Sequence, residues 1–591
     1  MKTALATFLF FLTSVHADRP NILWITSEDN SPMLGCYGDP IARTPHIDQF
    51  AKESVRYLNC FSNAAVCAPA RQTLITGMYA SSLGGQHMRS KAVYPPGVSY
   101  FPKYLRDAGY YTTNNSKTDY NGGPTDPKAA MKSAWDESSN QAHWRNCSKD
   151  QPFFAVFNIT DSHESRLFPN RWKNRKLKTD PSKVILPAHL PDLPETRLDM
   201  ARYYDCLEDM DEKVGKILEE LEKDGLEENT IVFYYSDHGG SMPRGKSFTY
   251  DSGTRVPLLV RIPEKWSTLR PEAVGATTDR LVSFVDFAPT VLSLAEISAP
   301  EYFQGSAFLG SDAGEPREYA HTFRGRRGER YDIVRGVRSQ DYLYLRNYTP
   351  HVPVMQFNAY SFSIPGYLAW QRTWEQGQCT PEQARWFESK PREELYRIDD
   401  DPDNIRNLAD DPALGEVLER HRAENKRHLL AIRDSVFFPE GAAGREFSAF
   451  QDDSTYPLPK LLALTDSTDP EILIEAMSSE NAQVRYWGAN GLLSQEVVAA
   501  SAIPHLKNLL RDEEETVRIL AARVLAGMDH TADALPVLRA SLKSPSSYLS
   551  LQALLAIDEC NLLEVEPSLR NEIRRAGKGS YAQRVAERIL R

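Results

Sequence analysis

The sequence predicts an α/β domain with a smaller α+β part, followed by an α-solenoid. Over residues 18–317, apolar strand-like runs alternate with helix-like segments, which is the pattern of an α/β fold. Residues 318–437 contain strand-like segments and then one helix, so we expect a smaller α+β subdomain there. Residues 459–591 repeat a short motif at a spacing typical of stacked helical units.

The elements of the first domain follow from apolar runs and their end signals. Residues 21–26 are almost continuously apolar, as in a buried parallel strand. Thr44 and Pro45 supply a cap and a first-turn proline for a helix, and residues 196–223 are amphipathic over a long helix. Further strands are predicted at 152–159, 230–235 and 255–262.

Polar clusters follow three of these strands directly. They lie at residues 27–30, 161–163 and 236–238. In an open α/β sheet, ligands bind at the carboxyl ends of the strands. The placement therefore indicates a functional site at this edge of the sheet.

The end of the chain is repetitive. The segment V-R-Y-W-G-A at 484–489 recurs 33 residues later as V-R-I-L-A-A at 517–522, and weaker echoes begin near Tyr548 and Tyr581. Two short helices per unit at this period indicate a HEAT-type solenoid, with a plain helical bundle as the alternative. Residues 438–458, which contain Gly, Asp, Ser and Pro, suit a linker. The solenoid could also serve a protein partner.

The pattern of the first residues indicates a targeting segment. Lys2, an apolar run at 5–12 and small residues at 15–17 predict a signal peptide over residues 1–17, and thus an exported protein (periplasmic, secreted or lumenal). A membrane anchor is the alternative, but the run is shorter than the roughly 18 residues needed to span a bilayer. No later stretch is apolar enough to span one.

Charge and cysteine content restrict the function classes. The formal net charge of −11 argues against a nucleic-acid partner, and any anion site must be built locally. None of the seven cysteines forms a C-x-x-C pair, which argues against a structural zinc site. Export would permit disulfides, whose pairing the sequence does not define.

The motif C-A-P-A-R at residues 67–71 is the sharpest chemical signal. A proline two residues after Cys67 favours a helix that begins at once, which places the cysteine at the positive end of the helix dipole. Arg71 lies one turn later on the same helix face. The pair would stabilise an anion or a polarised oxygen beside residue 67.

Two acidic pairs accompany this motif at predicted strand ends. Glu28-Asp29 and Asp237-His238 provide three carboxylates and an imidazole, a donor set suited to a hard cation such as Ca²⁺ or Mg²⁺. Either pair alone is more simply a solvated turn, a helix cap or a Gly-rich turn. Both pairs together with the cysteine motif predict a metal site.

With these motifs the chain resembles the type I sulfatases of the alkaline-phosphatase superfamily. Within that family it is most similar to the heparan N-sulfatase (sulfamidase) group, over about residues 20–437; the solenoid lies outside the match. The motifs that carry the resemblance are N-I-L-W-I at 21–25, T-P-H-I-D at 44–48, C-A-P-A-R at 67–71, L-I-T-G at 74–77, D-S-H at 161–163, S-D-H-G at 236–239, R-G-K at 244–246, G-T-R-V-P at 253–257 and E-L-Y-R-I-D-D-D-P-D-N-I-R-N-L-A at 394–409.

The resemblance implies an alkaline-phosphatase-like fold and a sulfatase mechanism. A maturation enzyme would convert Cys67 to formylglycine, whose hydrate attacks sulfur and later expels sulfate. Arg71 would orient that nucleophile, Lys117 and Lys246 would hold the sulfate, and His163 would protonate the leaving oxygen or nitrogen. The implied ligands of Ca²⁺, or of Mg²⁺, are Glu28, Asp29, Asp237, His238 and residue 67.

Two positions depart from the family pattern. Glu28 stands where the family usually has a second aspartate, so the metal would be bound with a longer side chain. Asp119 stands where the family often has the histidine that helps to release sulfate. Asp119 could act as the base, a nearby histidine could replace it, or the position could serve another purpose.

Three function classes follow. The first is hydrolysis of an O-sulfate ester or N-sulfate from a sulfated oligosaccharide or polysaccharide. The alternatives are a phosphatase or phosphodiesterase of the same superfamily and a non-catalytic glycan-binding relative. Predicted substrate contacts are His87, His321 and Arg338. The arginines at 324, 326, 327 and 330 either meet an anionic sugar or form a solvated loop.

Overall fold

The computed structural model describes residues 19–495, 498–577 and 580–591 of the chain. The predicted signal peptide at residues 1–17 lies outside the described residues. Three parts follow one another: a large α/β domain, a smaller antiparallel sheet with its helices, and a run of paired helices. Within the described ranges, no helix combines the length and the apolar character needed to cross a bilayer.

An eight-stranded mixed sheet forms the centre of the first domain. The strands of this domain, including a separate pair formed by β3 and β5, are β1 (Asn21–Ser27), β2 (Val55–Phe61), β3 (Ala92–Val93), β4 (Tyr111–Asn115), β5 (Gly122–Gly123), β6 (Glu137–Ser138), β7 (Phe153–Ile159), β8 (Thr230–Ser236), β9 (Arg255–Arg261) and β10 (Thr277–Ser283). The spatial order is β10-β2-β9-β8-β1-β7-β4-β6. Only β9 runs antiparallel to its neighbours; the other pairs are parallel.

Strand β1 is the central strand, and both of its faces are buried. Leu23 and Ile25 pack into one hydrophobic cluster, whereas Ile22 and Trp24 pack into a second. This explains the continuous apolar run in the sequence, because helices cover both faces of a mainly parallel sheet. The helices of this domain are α1 (Pro45–Lys52), α2 (Cys67–Thr76), α3 (Pro102–Asp107), α4 (Pro127–Ala134), α5 (Pro194–Lys223), α6 (Asp251–Thr254) and α7 (Phe287–Leu294).

The second part is a four-stranded antiparallel sheet. Its strands β11 (Ala320–Arg324), β12 (Val334–Arg338), β13 (Tyr342–Asn347) and β14 (Glu393–Arg397) lie in chain order. The long helix predicted in this region packs against β12 and β13. The helices are α8 (Pro365–Glu375), α9 (Pro381–Ala384) and α10 (Gly415–Ala431).

The third part consists of short paired helices. Four of them begin near the predicted repeat positions, at Ala482, Glu515, Ser547 and Tyr581, as a HEAT-type solenoid requires. The helices after residue 437 are α11 (Phe447–Gln451), α12 (Leu458–Asp466), α13 (Pro470–Ala476), α14 (Ala482–Leu492), α15 (Ala502–Leu509), α16 (Glu515–Gly527), α17 (Thr531–Ser541), α18 (Ser547–Glu559), α19 (Leu562–Val565), α20 (Arg570–Arg575) and α21 (Tyr581–Ile589).

The segment 438–458, interpreted from its composition as a linker, is packed instead. Phe438, Phe450 and Tyr456 are buried and join the hydrophobic cluster of the first repeats. Trp487 of α14 donates a hydrogen bond from Nε1 to the backbone oxygen of Phe437 at 2.7 Å. The polar residues that suggested a linker are interleaved with aromatic ones, and burial of those rings joins the solenoid to the preceding domain.

Candidate active site

The carboxyl ends of three adjacent strands bring the predicted polar clusters together. Strand β1 lies between β7 and β8, and its last residue, Ser27, is level with Ile159 and with Ser236. The loops that follow these residues therefore meet at one edge of the sheet. They carry the predicted site residues Glu28, Asp29, His163, Asp237 and His238.

Cys67 is the first residue of α2, as the sequence predicts. Val66 before it is extended and serves as the N-cap, so the free amides of the first helical turn surround residue 67. Cys67 is only 2% exposed, and all ten residues of the helix are buried. The helix is therefore enclosed by the rest of the domain, and the sulfur of its first residue lies beside Asp119.

Arg71 connects the helix to both acidic pairs. Its Nε lies 3.1 Å from Asp237 Oδ2, and its guanidinium lies 3.4 Å from Glu28 Oε1. A third contact, 2.6 Å to the side-chain oxygen of Asn158, fixes the orientation of the group. Burial alone would lower the pKa of Arg71, but Asp237 and Glu28 raise it, so the side chain stays charged.

The predicted metal ligands form one compact cluster. Nε2 of His238 lies 3.1 Å from Asp29 Oδ1 and 3.7 Å from Asp237 Oδ1. The donor atoms of Asp29, Asp237 and His238 all lie within 4.8 Å of one another, as do those of Glu28, Asp29 and His163. Nδ1 of His238 contacts the oxygen of Gly239 at 2.9 Å, which leaves Nε2 for the cluster.

Two features of this cluster fit a divalent cation. Among the described residues, buried Asp29 Oδ1 and His238 Nε2 both lack a hydrogen-bond partner of good geometry, although they point at each other. Burial alone would lower the pKa of His238, but Asp237 and Asp29 raise it to about 10. The negative potential of these carboxylates, which holds the proton on His238, would also attract a metal ion. Carboxylate oxygens are suitable ligands for a hard cation such as Ca²⁺ or Mg²⁺.

Two lysines contact the carboxylates of this cluster. Lys117 Nζ lies 2.5 Å from Glu28 Oε1, and Lys246 Nζ lies 2.7 Å from Asp29 Oδ2. Lys246 is buried; desolvation alone would lower its pKa, but Asp29 and Glu164 raise it. Both ammonium groups are therefore charged and lie against the carboxylates of the predicted metal site, where they offer cationic donors for an oxyanion.

His163 combines a structural contact with a free ring nitrogen. Its Nδ1 accepts a hydrogen bond from the backbone N–H of Ser165 at 3.2 Å, so the ring does cap the short helix that follows. The proton of a neutral ring is then on Nε2, which lies 3.8 Å from Glu28 Oε2. Burial, followed by Lys246, lowers the pKa of His163.

Asp119 lies beside the predicted nucleophile. Its Oδ2 is 3.3 Å from Cys67 Sγ, and Oδ1 is 3.5 Å from Nε of Arg89. Burial alone would raise the pKa of Asp119, but Arg89 and Lys117 lower it, which keeps the carboxylate ionised. The residue that departs from the family pattern is therefore in direct contact with residue 67.

A cavity of about 150 Å³ lies beside these groups. The predicted residues Cys67, Lys117, His163 and Lys246 line it together with Asp119. Motif analysis did not identify several other residues of its wall: Arg89, Glu164, Asn358, Tyr360, Tyr581 and Arg584. Most of them lie outside any recognisable motif. Glu164 directly follows D-S-H, and its position as an acidic residue just after a predicted strand could have identified it as a site residue.

Glu164 links the lysine side of the cavity to the second domain. Its carboxylate lies 3.5 Å from Lys246 Nζ and 2.5 Å from the guanidinium of Arg327. Burial alone would raise the pKa of Glu164, but Arg327 and Lys246 lower it. Arg327 is the one member of the predicted arginine cluster that lines this cavity.

The other arginines of that cluster do not form a solvated loop. Arg324, Arg326 and Arg330 are largely buried, and their partners are Asp332, Glu440 and Asp558. Because each pairs with a protein carboxylate, the cluster holds parts of the chain together. These three arginines therefore neither contact a sugar in this cavity nor form a solvated loop; each pairs with a carboxylate inside the protein.

The three predicted substrate contacts are not part of this cavity wall. His87 is buried, and its Nδ1 accepts the backbone N–H of Arg326 at 2.9 Å; burial lowers its pKa to about 3. His321 pairs with Glu424 at 2.8 Å and stacks on His428. Arg338 is buried against Asp251 at 3.2 Å. All three residues are thus held by protein partners, and the structure does not bring them into this cavity.

Comparison with known proteins agrees with this geometry. Residues 20–297 match the sulfatase family model, residues 244–351 match the C-terminal region of N-sulphoglucosamine sulphohydrolase, and residues 470–558 match HEAT repeats.

An ulvan-active sulfatase of Formosa agariphila is 40% identical over 72% of this chain and 77% of its own length. Human N-sulphoglucosamine sulphohydrolase is 26% identical over 75% of this chain and 97% of its own. The fold is shared with a solved structure described as a 2-O GAG sulfatase, at TM-score 0.52 and 18% identity over 71% of this chain and 93% of that one. The chain therefore belongs to the sulfatase family, with HEAT repeats after its catalytic part.

Proposed function

We propose that this protein removes sulfate from a sulfated oligosaccharide or polysaccharide, with residue 67 acting as formylglycine. One observation carries the proposal: Cys67, at a helix start, lines one cavity with His163 and two lysines, and both lysines contact carboxylates of the carboxylate–imidazole cluster. The relatives named as an ulvan-active sulfatase and an N-sulphoglucosamine sulphohydrolase support a sulfated sugar as the substrate class. An O-sulfate and an N-sulfate are both compatible with this arrangement.

The metal in this proposal is Ca²⁺, with Mg²⁺ as the alternative. Glu28, Asp29, Asp237 and His238 would hold it, and residue 67 would complete its coordination. When bound, such an ion polarises a sulfate oxygen and lowers the pKa of a nearby hydroxyl. The side chain of Glu28 is one methylene longer than those of the two aspartates. Its contacts with Lys117 and Arg71 fix the position of its carboxylate.

Residue 67 would supply the nucleophile. The thiol of Cys67 stands where a formylglycine hydrate would place two hydroxyls, one to attack sulfur and one to expel sulfate afterwards. Arg71 holds this end of the helix against Asp237 and Glu28, so that the hydroxyls face the cavity. The free amides of the first turn of α2 favour the charge that develops there.

The charged side chains of the cavity would bind the sulfate group. Lys117 and Lys246 line the cavity, and each is held by a carboxylate of the predicted metal site. As the imidazolium, His163 gives its Nε2 proton to the leaving oxygen, or to the leaving nitrogen of an N-sulfate, as the bond from sulfur to that atom breaks, and returns to the neutral ring. Ser165 Oγ, 2.9 Å from Nδ1, accepts the second N–H of the imidazolium.

Asp119 would complete the cycle in place of the usual histidine. Its carboxylate, 3.3 Å from Cys67 Sγ, accepts the proton of the remaining hydroxyl. As that proton leaves, the carbonyl of residue 67 re-forms and its bond to the sulfate oxygen breaks, so that sulfate is released. Addition of water to the carbonyl then restores the hydrate.

The two alternatives are weaker on specific grounds. Superfamily phosphatases use serine or threonine and commonly two metals, whereas this site has a cysteine in a sulfatase motif. A non-catalytic relative would not require Asp119, His163 and two lysines to converge on residue 67. The proposal includes maturation by a formylglycine-generating enzyme, because residue 67 must be modified before the protein is active. It also includes export through the segment at 1–17.

Mass spectrometry of tryptic peptide 57–71 tests the central claim. This peptide also contains Cys60, which is buried in the core and serves as an internal unmodified control. We expect the mass of formylglycine at residue 67 after coexpression with the maturation enzyme, and hydrolysis of 4-nitrophenyl sulfate in proportion to the converted fraction. Fully converted protein that hydrolyses 4-nitrophenyl phosphate but no sulfate would support the phosphatase alternative; a protein inactive on both would support the non-catalytic one.

A further inference from the structure

The last repeat of the solenoid reaches the active-site cavity. Tyr581 and Arg584 on α21 line it together with Cys67 and His163, although they lie at the opposite end of the chain. The helical repeats therefore form part of the wall that a substrate meets. No other repeat contributes to the lining of this cavity among the described residues.

Buried arginines of the catalytic part hold this repeat in place. Arg326 is fully buried and makes two contacts with Glu440, one of them 3.0 Å long. Its guanidinium also lies 5.4 Å from the ring centre of Tyr548 and 5.0 Å from that of Tyr581. A desolvated cation near two aromatic rings is a favourable contact, so Arg326 ties two successive repeats to the catalytic part.

A second arginine extends this junction along the repeats. Arg330 lies 3.0 Å from Asp558 of α18, and Arg588 of α21 contacts the same carboxylate. Arg330 and Asp558 are both largely buried, so removal of either partner would leave an uncompensated charge. The position of α21 beside the cavity is thus set by specific contacts.

The cations at the mouth of the cavity differ from those inside it. Lys246 is buried and lies 2.7 Å from Asp29. By contrast, the side chain of Arg584 is 39% exposed and that of Arg89 is 56% exposed, and each lies 3.5 Å from its carboxylate partner. An arginine has five N–H donors, so one long contact leaves most of them available to an anionic ligand.

We propose that Tyr581 and Arg584 form a substrate subsite contributed by the solenoid. It would bind the sugar next to the one that loses sulfate, with Arg584 and Arg89 pairing with a carboxylate or second sulfate on that sugar. Tyr581 supplies an aromatic wall and is itself placed by Arg326 and by Arg584, 5.1 Å away. This inference rests on the proposed function, because it assigns the substrate a second anionic group.

The test compares two substrates on the full, matured chain. One is 4-nitrophenyl sulfate, which has no second anionic group; the other is an oligosaccharide with one, either from ulvan or a heparan sulfate disaccharide. For Arg584→Gln and for Tyr581→Ala, we expect kcat/KM on the oligosaccharide, divided by that on the aryl sulfate, to fall about tenfold, mainly through KM. Arg575→Gln, an exposed arginine on the preceding helix, is the matched control and should keep the wild-type ratio.

The possible outcomes separate the subsite from the proposed function. A wild-type ratio in both variants overturns the subsite and leaves the proposed function intact. Wild-type protein that hydrolyses only the aryl sulfate overturns the subsite together with the sugar substrate of the proposed function, but not the formylglycine chemistry. If fully converted wild-type protein hydrolyses no sulfated substrate, the proposed function fails and the subsite with it. Should Tyr581→Ala lower the melting temperature, Arg584→Lys provides the second measurement: it keeps the charge but loses the planar donors, so the ratio should fall between the wild-type and Gln values.

Discussion

The carboxylate of Asp119 lies 3.3 Å from the sulfur of Cys67, while its second oxygen faces the guanidinium of Arg89. The residue that stands in place of the usual histidine therefore contacts the predicted nucleophile, Cys67, directly. Arg89 and Lys117 offset the effect of burial on the pKa of Asp119 and keep the carboxylate able to accept a proton.

Replacement of Asp119 tests its role as the base. Asp119→Asn should lower kcat on 4-nitrophenyl sulfate by about 10² to 10³, a typical contribution of a positioned proton acceptor. Asp119→His should restore part of that loss, since the imidazole can also accept a proton. The measurement is steady-state kinetics on protein with the same converted fraction at residue 67.

A matched control is available for this substitution. Asp150 shares the left-handed backbone of Asp119, with φ of 63° against 49°, but it is exposed in another loop. Asp150→Asn should leave kcat unchanged. A kcat for Asp119→Asn within threefold of the wild-type value would mean that another group takes the proton.

Cys67→Ser should abolish turnover while the fold is retained. A serine hydroxyl could attack sulfur once, but it has no second hydroxyl with which to expel sulfate. We therefore expect at most one equivalent of product per enzyme in a rapid-mixing experiment, with an unchanged melting temperature. Sustained turnover by this variant, at a rate near that of the wild type, would exclude the formylglycine mechanism.

Removal of divalent cations should affect stability as well as activity. Asp29 and Asp237 are fully buried beside His238 and Glu28, so loss of a bound cation leaves concentrated negative charge. After chelation and dialysis, we expect a lower melting temperature that Ca²⁺ restores in a concentration-dependent way. In Asp237→Asn this response should weaken; a melting temperature that ignores both chelator and Ca²⁺ would contradict the metal assignment.

His87 should make stability depend on pH. Its folded pKa of about 3 lies below the unfolded value of about 6.5, so neutral His87 contributes stability that is complete above pH 6.5 and decreases as pH falls towards 3. The loss attributable to this one residue is about 1.4 kcal/mol per pH unit in that window.

Asn at position 87 can still accept the Arg326 N–H but cannot be protonated. We expect His87→Asn to show a smaller decrease in the free energy of unfolding between pH 6.5 and pH 5 than the wild type, by about 2 kcal/mol, in denaturant titrations. If the free energy of unfolding decreases equally in both proteins, the pKa of His87 is not lowered in the folded state and the prediction is wrong.

Trp487→Ala tests whether the segment before the solenoid is a packed junction. Trp487 is 2% exposed, packs on Phe437 and donates a hydrogen bond to its backbone oxygen. We expect a loss of about 3–5 kcal/mol, as for other buried aromatic side chains, seen as a lower melting temperature. Arg511→Ala, an exposed change within the solenoid, should have little effect. Equal melting temperatures for the two variants would indicate that the parts are joined only loosely.

The sequence by itself determined the features that depend on local spacing. Cys67 and Arg71 are one helical turn apart, so their relation follows from the helix alone. The polar clusters after β1 and β8 could also be expected to meet, because parallel strands place their carboxyl ends at one edge of a sheet. The helical repeats were visible for the same reason, since each unit resembles its neighbour.

Only the tertiary structure decided which polar residues face the cavity and which are buried elsewhere. His87, His321 and Arg338 have the chemistry of substrate contacts, but their surroundings are assembled from distant segments and bury them against protein partners. Conversely, Tyr581 and Arg584 lie in a weak echo of the helical repeat and in no catalytic motif, and they reach the cavity because Arg326 and Arg330 anchor the solenoid. Local spacing does not encode such contacts, because burial and charge pairing depend on segments that are far apart in the chain.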